Sequence, residues 1–380
     1  MEEAIKESGS RRSRVVKLLN QSRLDGLVIY SNGAYRMTRP TYVHFFSGLR
    51  PLGSHNAVII NKSGKSALLL EPQWDSIRAS RKSWISDIRG TSEFAQDLIA
   101  LLVEFDITGT IGVTGSREMR EGIYAGIAKI GDIVSAEDIL EEISREITRE
   151  NSGNIRKTAR IADIGFNALL EKTRIGIREY ELAAEVNFSM RSSGAEDVFF
   201  LLSSGRHNDA MHAPTDRRLR NGDIVIAEIT PVCEGQFFQL CNTVFIGKPN
   251  PILLEKYKML AHSLEESLKL IKSGAPAALI SKAMNKIIGD AGYSEYCYPP
   301  YMRARGHGTG PGSIVGSSAL GGTIDDHTKA LLKRDQSIVV HPNQYLPETG
   351  YLACGETVLV TDTGIERLSE TKPRLYIKEV

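Results

Sequence analysis

Residues 221–247, NGDIVIAEITPVCEGQFFQLCNTVFIG, restrict the fold more than any other stretch of this chain. Two strand-like runs, rich in β-branched and aromatic residues, flank the turn-like PVCEG. Glu228 and Gln239 stand on either side of that turn, so both can face one side of a two-stranded ribbon. Three later islands have the same character: RGHGTG around His307, VVHPNQY around His341 and ACGETVLV around Glu356. Each sets a metal-capable side chain in a strand or at a strand end. Carboxylates, amides and imidazoles gathered from scattered strands are how proteins build divalent-cation sites, and Glu228, Gln239, His307, His341 and Glu356 are candidates for one. Each also has a plain reading, such as a solvent-facing Glu or Gln on a hairpin, or a structural His in a glycine-rich turn. Glu356 fits the plain reading least, because a carboxylate beside the apolar run TVLV is costly to bury without a positive neighbour.

With 380 residues, about two domains are expected. The first part alternates helical and strand patterns: VVKLLN then DGLVIY, a hairpin in AVIINKSGKSALLL, and the strands TIGVTG and DIVSA. It predicts a small α/β domain over 1–148. A charged helical stretch, interrupted by NSGN, leads into 149–380, where strands and helices do not alternate regularly and an α+β domain is expected. Charge is balanced, 47 basic against 46 acidic residues, which argues against nucleic-acid and anionic-membrane partners. The sequence holds no apolar run able to span a bilayer and starts without a signal-peptide core. Four dispersed cysteines without a CxxC pair point to a reducing, cytoplasmic setting. Cys241 and Cys354, two residues from Gln239 and Glu356, read as small core groups beside the site. Arg303 and Arg305, just before Gly306–His307, are candidates to grip a substrate carboxylate in bidentate fashion.

Five segments, in order, resemble the pita-bread family of methionine aminopeptidase, aminopeptidase P, prolidase and creatinase: KTRIGIREYELA, SSGRHNDAMHAPTDRRLRNGD, NTVFIG, GHGTG and GETVLVTDTG. The resemblance covers residue 150 onward, and the α/β region before it suits the prolidase and creatinase branch. It implies an α+β pita-bread catalytic domain preceded by a smaller creatinase-type α/β domain. It also implies a hydrolase acting on a C–N bond of a small polar molecule or short peptide, and a homodimer with Phe46, Arg50 or His55 near the partner's site. The family's five metal-ligand positions fall on Glu228, Gln239, His307, His341 and Glu356, where most members carry Asp, Asp, His, Glu and Glu. His212 matches the substrate-contacting histidine, giving His212, Glu228 and Glu356 as the implied catalytic groups. A second histidine expected beyond His307 is replaced by Ile314 and Val315, with His327 as the nearest substitute.

The relatives' four carboxylates balance two divalent cations, whereas Glu228 and Glu356 balance one. A neutral Gln239 amide is also a poor bridge, so a dinuclear centre is not expected. Two imidazoles with a carboxylate suit one Zn²⁺, Fe²⁺ or Mn²⁺, and such a centre also supports lyase or redox chemistry. A metal-free, creatinase-like amidinohydrolase is the alternative, with His212 shuttling the proton and Glu228 and Glu356 holding a cationic or urea-like substrate. In that branch an acidic residue and an arginine stand where this chain has Cys241 and Ser318. A third reading is a pita-bread module that binds a peptide or protein without catalysis.

Overall fold

The computed structural model describes residues 2–33, 42–144, 149–302, 304–310 and 323–379, with backbone alone for 2–10, 141, 144 and 149–152. The chain divides into two compact units, Met1–Glu150 and Asn151–Val380.

In the first unit, six strands form one sheet: β1 (Gly26–Ser31), β2 (His55–Asn61), β3 (Ser66–Glu71), β4 (Asp87–Gly90), β5 (Thr110–Thr114) and β6 (Asp132–Ser135), in the order β4-β3-β2-β1-β5-β6. The three central strands β1, β2 and β3 pair antiparallel, while β4, β5 and β6 add parallel. Both faces of β1 are covered, Leu27 and Ile29 entering one apolar cluster and Val28 and Tyr30 another. A strand buried on both sides reads as an unbroken apolar run, as DGLVIY does. Two residues expected near a partner's site are core groups of this unit. Phe46 lies in the helix Tyr42–Ser47, fully buried with its ring 5.6 Å from that of Trp84. His55 is buried and its Nδ1 meets the Tyr30 hydroxyl at 2.6 Å. Both rings serve this unit's own core.

The second unit opens on the helix Arg149–Lys172, which runs unbroken through NSGN. The expected interruption is absent because Ile155, Ala159, Ala162, Phe166 and Leu169 bury one face at helical spacing. That burial outweighs the roughly 1 kcal/mol a single interior glycine costs. The remaining strands are β7 (Asp197–Gly205), β8 (Ile224–Cys233), β9 (Gln236–Phe237), β10 (Leu240–Ile246), β11 (Gly306–Gly308), β12 (Ser337–Val340), β13 (Gln344–Leu346), β14 (Gly350–Leu352), β15 (Gly355–Val360), β16 (Ile365–Arg367) and β17 (Tyr376–Lys378). Nine of them form one sheet along the path β11-β12-β15-β10-β8-β7, with β16 on β15, β17 on β10 and β9 on β8; β13 and β14 make a separate hairpin. Two helix pairs cover it. Arg149–Lys172 and Glu179–Ser192 pack Phe166, Val186 and Met190 with Val225, Ala227 and Val244. Pro251–Leu268 and Ala278–Ile288 pack Leu260, Leu264 and Met284 with Ile226, Cys241 and Val358.

The β8–β9 connection is tighter than PVCEG suggests. Pro231 and Cys233 belong to β8, and only Glu234 (φ 49°) and Gly235 (φ 72°) turn the chain. Two successive left-handed residues match the right-handed twist of the strands and fix the hairpin register.

Candidate active site

The sheet places one candidate segment on each of five neighbouring strands. Glu228 on β8 lies opposite Cys241 on β10, and Leu240, the residue after Gln239, lies opposite Ile229. Glu356 on β15 is opposite Leu240 on one side and Val340, the residue before His341, on the other. His307 on β11 is opposite Val339 on β12, so this histidine sits in a strand and not in the expected glycine-rich turn. Gly355 makes this order possible, since a Cβ there would stand 2.4 Å from His341 Cβ.

The side chains are held unevenly. Gln239 is fixed through its backbone: its N–H donates to Thr357 Oγ1 at 3.0 Å, and the Thr357 hydroxyl donates to Gln239 O at 3.0 Å. Its amide Oε1 is buried without a hydrogen-bond partner. The His307 and His341 rings approach edge to face, centroids 5.8 Å apart. His307 Nδ1 lies 2.8 Å from Gly308 O, which assigns the proton to Nδ1 and leaves Nε2 as the electron-pair donor. Buried His341 has an unpartnered Nδ1, and burial followed by the neighbouring His307 charge lowers its pKa to about 3, so its imidazole is neutral. Glu356 is fully buried and neither carboxylate oxygen accepts a hydrogen bond. Its nearest cation is Arg367, whose Nε stands 3.4 Å from Oε1 outside hydrogen-bonding geometry. Burial raises the Glu356 pKa to about 7 against the lowering effect of Arg367. Glu228 Oε1 accepts from Cys241 Sγ at 3.5 Å and from Asn343 Nδ2 at 3.4 Å. Both nearby thiols are held protonated, Cys241 far above its usual range and Cys354 at about 12, chiefly by burial.

Other candidates stand elsewhere. Arg305 is not a substrate clamp. It is completely buried, donating from Nε to Asn285 Oδ1 (2.8 Å), from Nη2 to Gln344 Oε1 (2.9 Å) and from Nη1 to Asn343 O (3.4 Å). A guanidinium fully buried and turned to three internal acceptors presents no open face to a ligand. Arg303, Ile314, Val315 and Ser318 lie outside the described residues. His212 is exposed, with Nδ1 2.7 Å from Ala213 O and its backbone N–H donating to Ser203 Oγ, so its recorded hydrogen bonds run to its own loop and strand. His327 is likewise exposed, its backbone N–H donating to Asp325 Oδ1. Sequence reasoning missed Arg367, Asn343 and Glu265. Arg367 could have been found as the lone cation of IERLSE, the second arm of the hairpin that Glu356 begins, where it pairs with Val358.

Several donors of this constellation are left open. Gln239 Oε1, His341 Nδ1 and both Glu356 oxygens are buried polar atoms without partners. Such orphans are costly unless something positive or donating completes them. Among the described residues no three His, Cys, Asp or Glu side chains form a group able to hold a metal ion by themselves. Two metals would need bridging carboxylates that Gln239 and His341 do not supply.

Known proteins agree on the architecture. An X-Pro aminopeptidase from Thermotoga maritima superposes with a TM-score of 0.84 at 20% identity, covering 97% of this chain and 99% of that one. A prolidase from Pyrococcus horikoshii OT3 gives 0.83 at 22%, covering 96% and 99%. In sequence, a Xaa-Pro dipeptidase from Pyrococcus furiosus is 25% identical over 370 residues, spanning 96% of this chain and 99% of that protein. The pita-bread domain, its preceding α/β unit and the hydrolase class of these relatives match what the five sequence segments imply. The profile of metallopeptidase family M24 matches residues 153–362, more than half of the chain, which therefore belongs to that family.

Proposed function

We propose that this protein is a peptidase of the Xaa-Pro dipeptidase type with a rebuilt centre, hydrolysing a C–N bond of a short peptide with one divalent cation in place of two. The observation that carries this reading is the set of orphaned donors around Glu356: its own two oxygens, Gln239 Oε1 and His341 Nδ1. Relatives named for Xaa-Pro cleavage, aligned over nearly the whole chain, support the substrate class.

Glu356, His341 and Gln239 would hold the cation, with His307 Nε2 and Glu228 completing its surroundings. Zn²⁺, Fe²⁺ or Mn²⁺ suits two imidazoles and a carboxylate. When bound, it supplies charge that polarises a carbonyl and lowers the pKa of water. The protein's own groups do the rest. Glu228, half-buried at the edge of this group, would take the proton of an attacking water. His212, proton on Nδ1, would take up a second proton at Nε2 and hand that one to the departing nitrogen. The neutral imidazole of His341 keeps a ligand lone pair available at ordinary pH.

A second reading has an observation of its own. Arg367 offsets the charge of Glu356 without a metal, so a metal-free, creatinase-like hydrolysis is also chemically served, with Glu228 and Glu356 holding a urea-like substrate. Elemental analysis of chain purified without chelator, for wild type and His341→Ala, separates the two. About one transition metal per chain, lost in the variant along with Xaa-Pro cleavage, supports the first reading. Metal-free protein that still turns over a guanidino compound sinks it.

A further inference from the structure

Arg367 reaches Glu356 from the edge of the sheet. It closes β16, and its pairing with Val358 puts it two residues along β15 from Glu356. Its Nε is 3.4 Å from Glu356 Oε1, too poorly aligned to be a hydrogen bond, so both oxygens stay orphaned. Its Nη2 donates to both oxygens of Glu265, at 2.6 and 2.7 Å. Glu265, about half exposed on the helix Pro251–Leu268, therefore pulls on one end of a guanidinium whose other end faces the buried carboxylate. A single arginine is shared between a strong outer partner and a loosely held inner one.

We infer that Arg367 is a built-in counter-ion of Glu356 that a divalent cation must displace, and that Glu265 is the tether which draws Arg367 aside so that it can. This rests on the single-cation reading. It adds a regulator of cation affinity made of two residues that are not ligands. With the site empty of cation, Arg367 shields the buried charge of Glu356. With cation bound, two positive charges would compete for the same carboxylate, and the Glu265 tether absorbs the displaced guanidinium.

Opposite signs at the two positions distinguish this from mere bracing. Mn²⁺ binding to the chelator-stripped full-length chain is measured by calorimetry for wild type, Arg367→Gln, Arg367→Lys and Glu265→Gln. Removing the competing charge in Arg367→Gln tightens Mn²⁺ binding by about tenfold or more, tenfold being the order for one like charge a few ångströms away under water-like screening. Glu265→Gln, a surface change that leaves folding intact, frees Arg367 to settle on Glu356 and weakens binding by a similar factor. Arg367→Lys stays near wild type. If both Arg367→Gln and Glu265→Gln weaken binding, Arg367 is a structural brace and the inference falls; equal affinity in all four proteins overturns it as well. Absence of Mn²⁺ binding in wild type and variants alike would instead sink the single-cation reading, and this inference with it.

Discussion

Arg305 Nη2 donates to Gln344 Oε1 at 2.9 Å in a pocket that leaves none of the arginine exposed. Gln344 in turn donates to Tyr296 O at 2.6 Å, so the guanidinium ties β13 to the segment around Tyr296 and, through Asn285, to the helix Ala278–Ile288. Burial lowers the arginine's pKa, yet the partners around it are internal acceptors. Arg305→Ala should therefore cost roughly 1–3 kcal/mol or more, the range for leaving a buried acceptor without its donor. Urea denaturation measures this. A KM effect on carboxylate substrates with unchanged stability would restore the clamp reading.

Cysteine chemistry gives a second test. Cys233, Cys241, Cys297 and Cys354 are all buried free thiols, and burial is the first cause raising the pKa of each. The thiolate is the reactive form. Iodoacetamide at pH 8 should leave the native chain essentially unlabelled over minutes and modify all four cysteines once it is unfolded, by intact mass. Fast native labelling of Cys241 would bring back a thiol ligand or nucleophile.

Much of this arrangement was legible in the sequence because strand pairing writes itself as pattern. The alternation around Glu228 and the apolar run after Glu356 announced strands, and the structure puts Glu356 between Leu240 and Val340. What stayed hidden depends on where long side chains end. Arg305 and Arg367 look equally eligible on paper, yet one is consumed by Asn285 and Gln344 while the other leans on a site carboxylate. The burial of Phe46 and His55 was hidden for the same reason: the sequence shows an aromatic or a ring nitrogen, not whether its own core claims it. The NSGN segment misled because local propensity is weak against a buried helical face.

A pH effect resides in the first unit. His55 has a pKa below the usual 6.5, lowered by burial and then by Arg120, against a raising effect of Glu71. Its neighbour Tyr30 is pushed up to about 12 and remains a neutral hydroxyl. An unfolded histidine binds its proton near pH 6.5, the folded one only at lower pH. The folded state is thus at no disadvantage above pH 6.5 and loses stability as pH falls below it toward the depressed folded value. His341, lowered to about 3, acts with the same sign across a wider window. Denaturation midpoints from pH 8 to pH 5 should fall more for wild type than for His55→Gln. Parallel curves would show that His55 does not titrate differently in the folded state.

Gln239→Glu tests the charge argument at its centre. The substitution nearly preserves shape but puts a carboxylate where a buried amide oxygen has no partner. In chelator-treated protein, a second buried carboxylate close to Glu356 adds desolvation and like-charge repulsion, so the variant should unfold more easily than wild type by about 1–3 kcal/mol. Added Mn²⁺ should reverse the order, because a cation gains a charged ligand and stabilises the state that binds it. Thermal denaturation with and without Mn²⁺ reads both halves. Restored charge should also raise the bound metal above one per chain, since a carboxylate can bridge two cations where an amide cannot. A variant destabilised equally with and without Mn²⁺ would place position 239 outside any cation's reach, leaving Glu356 to Arg367 alone.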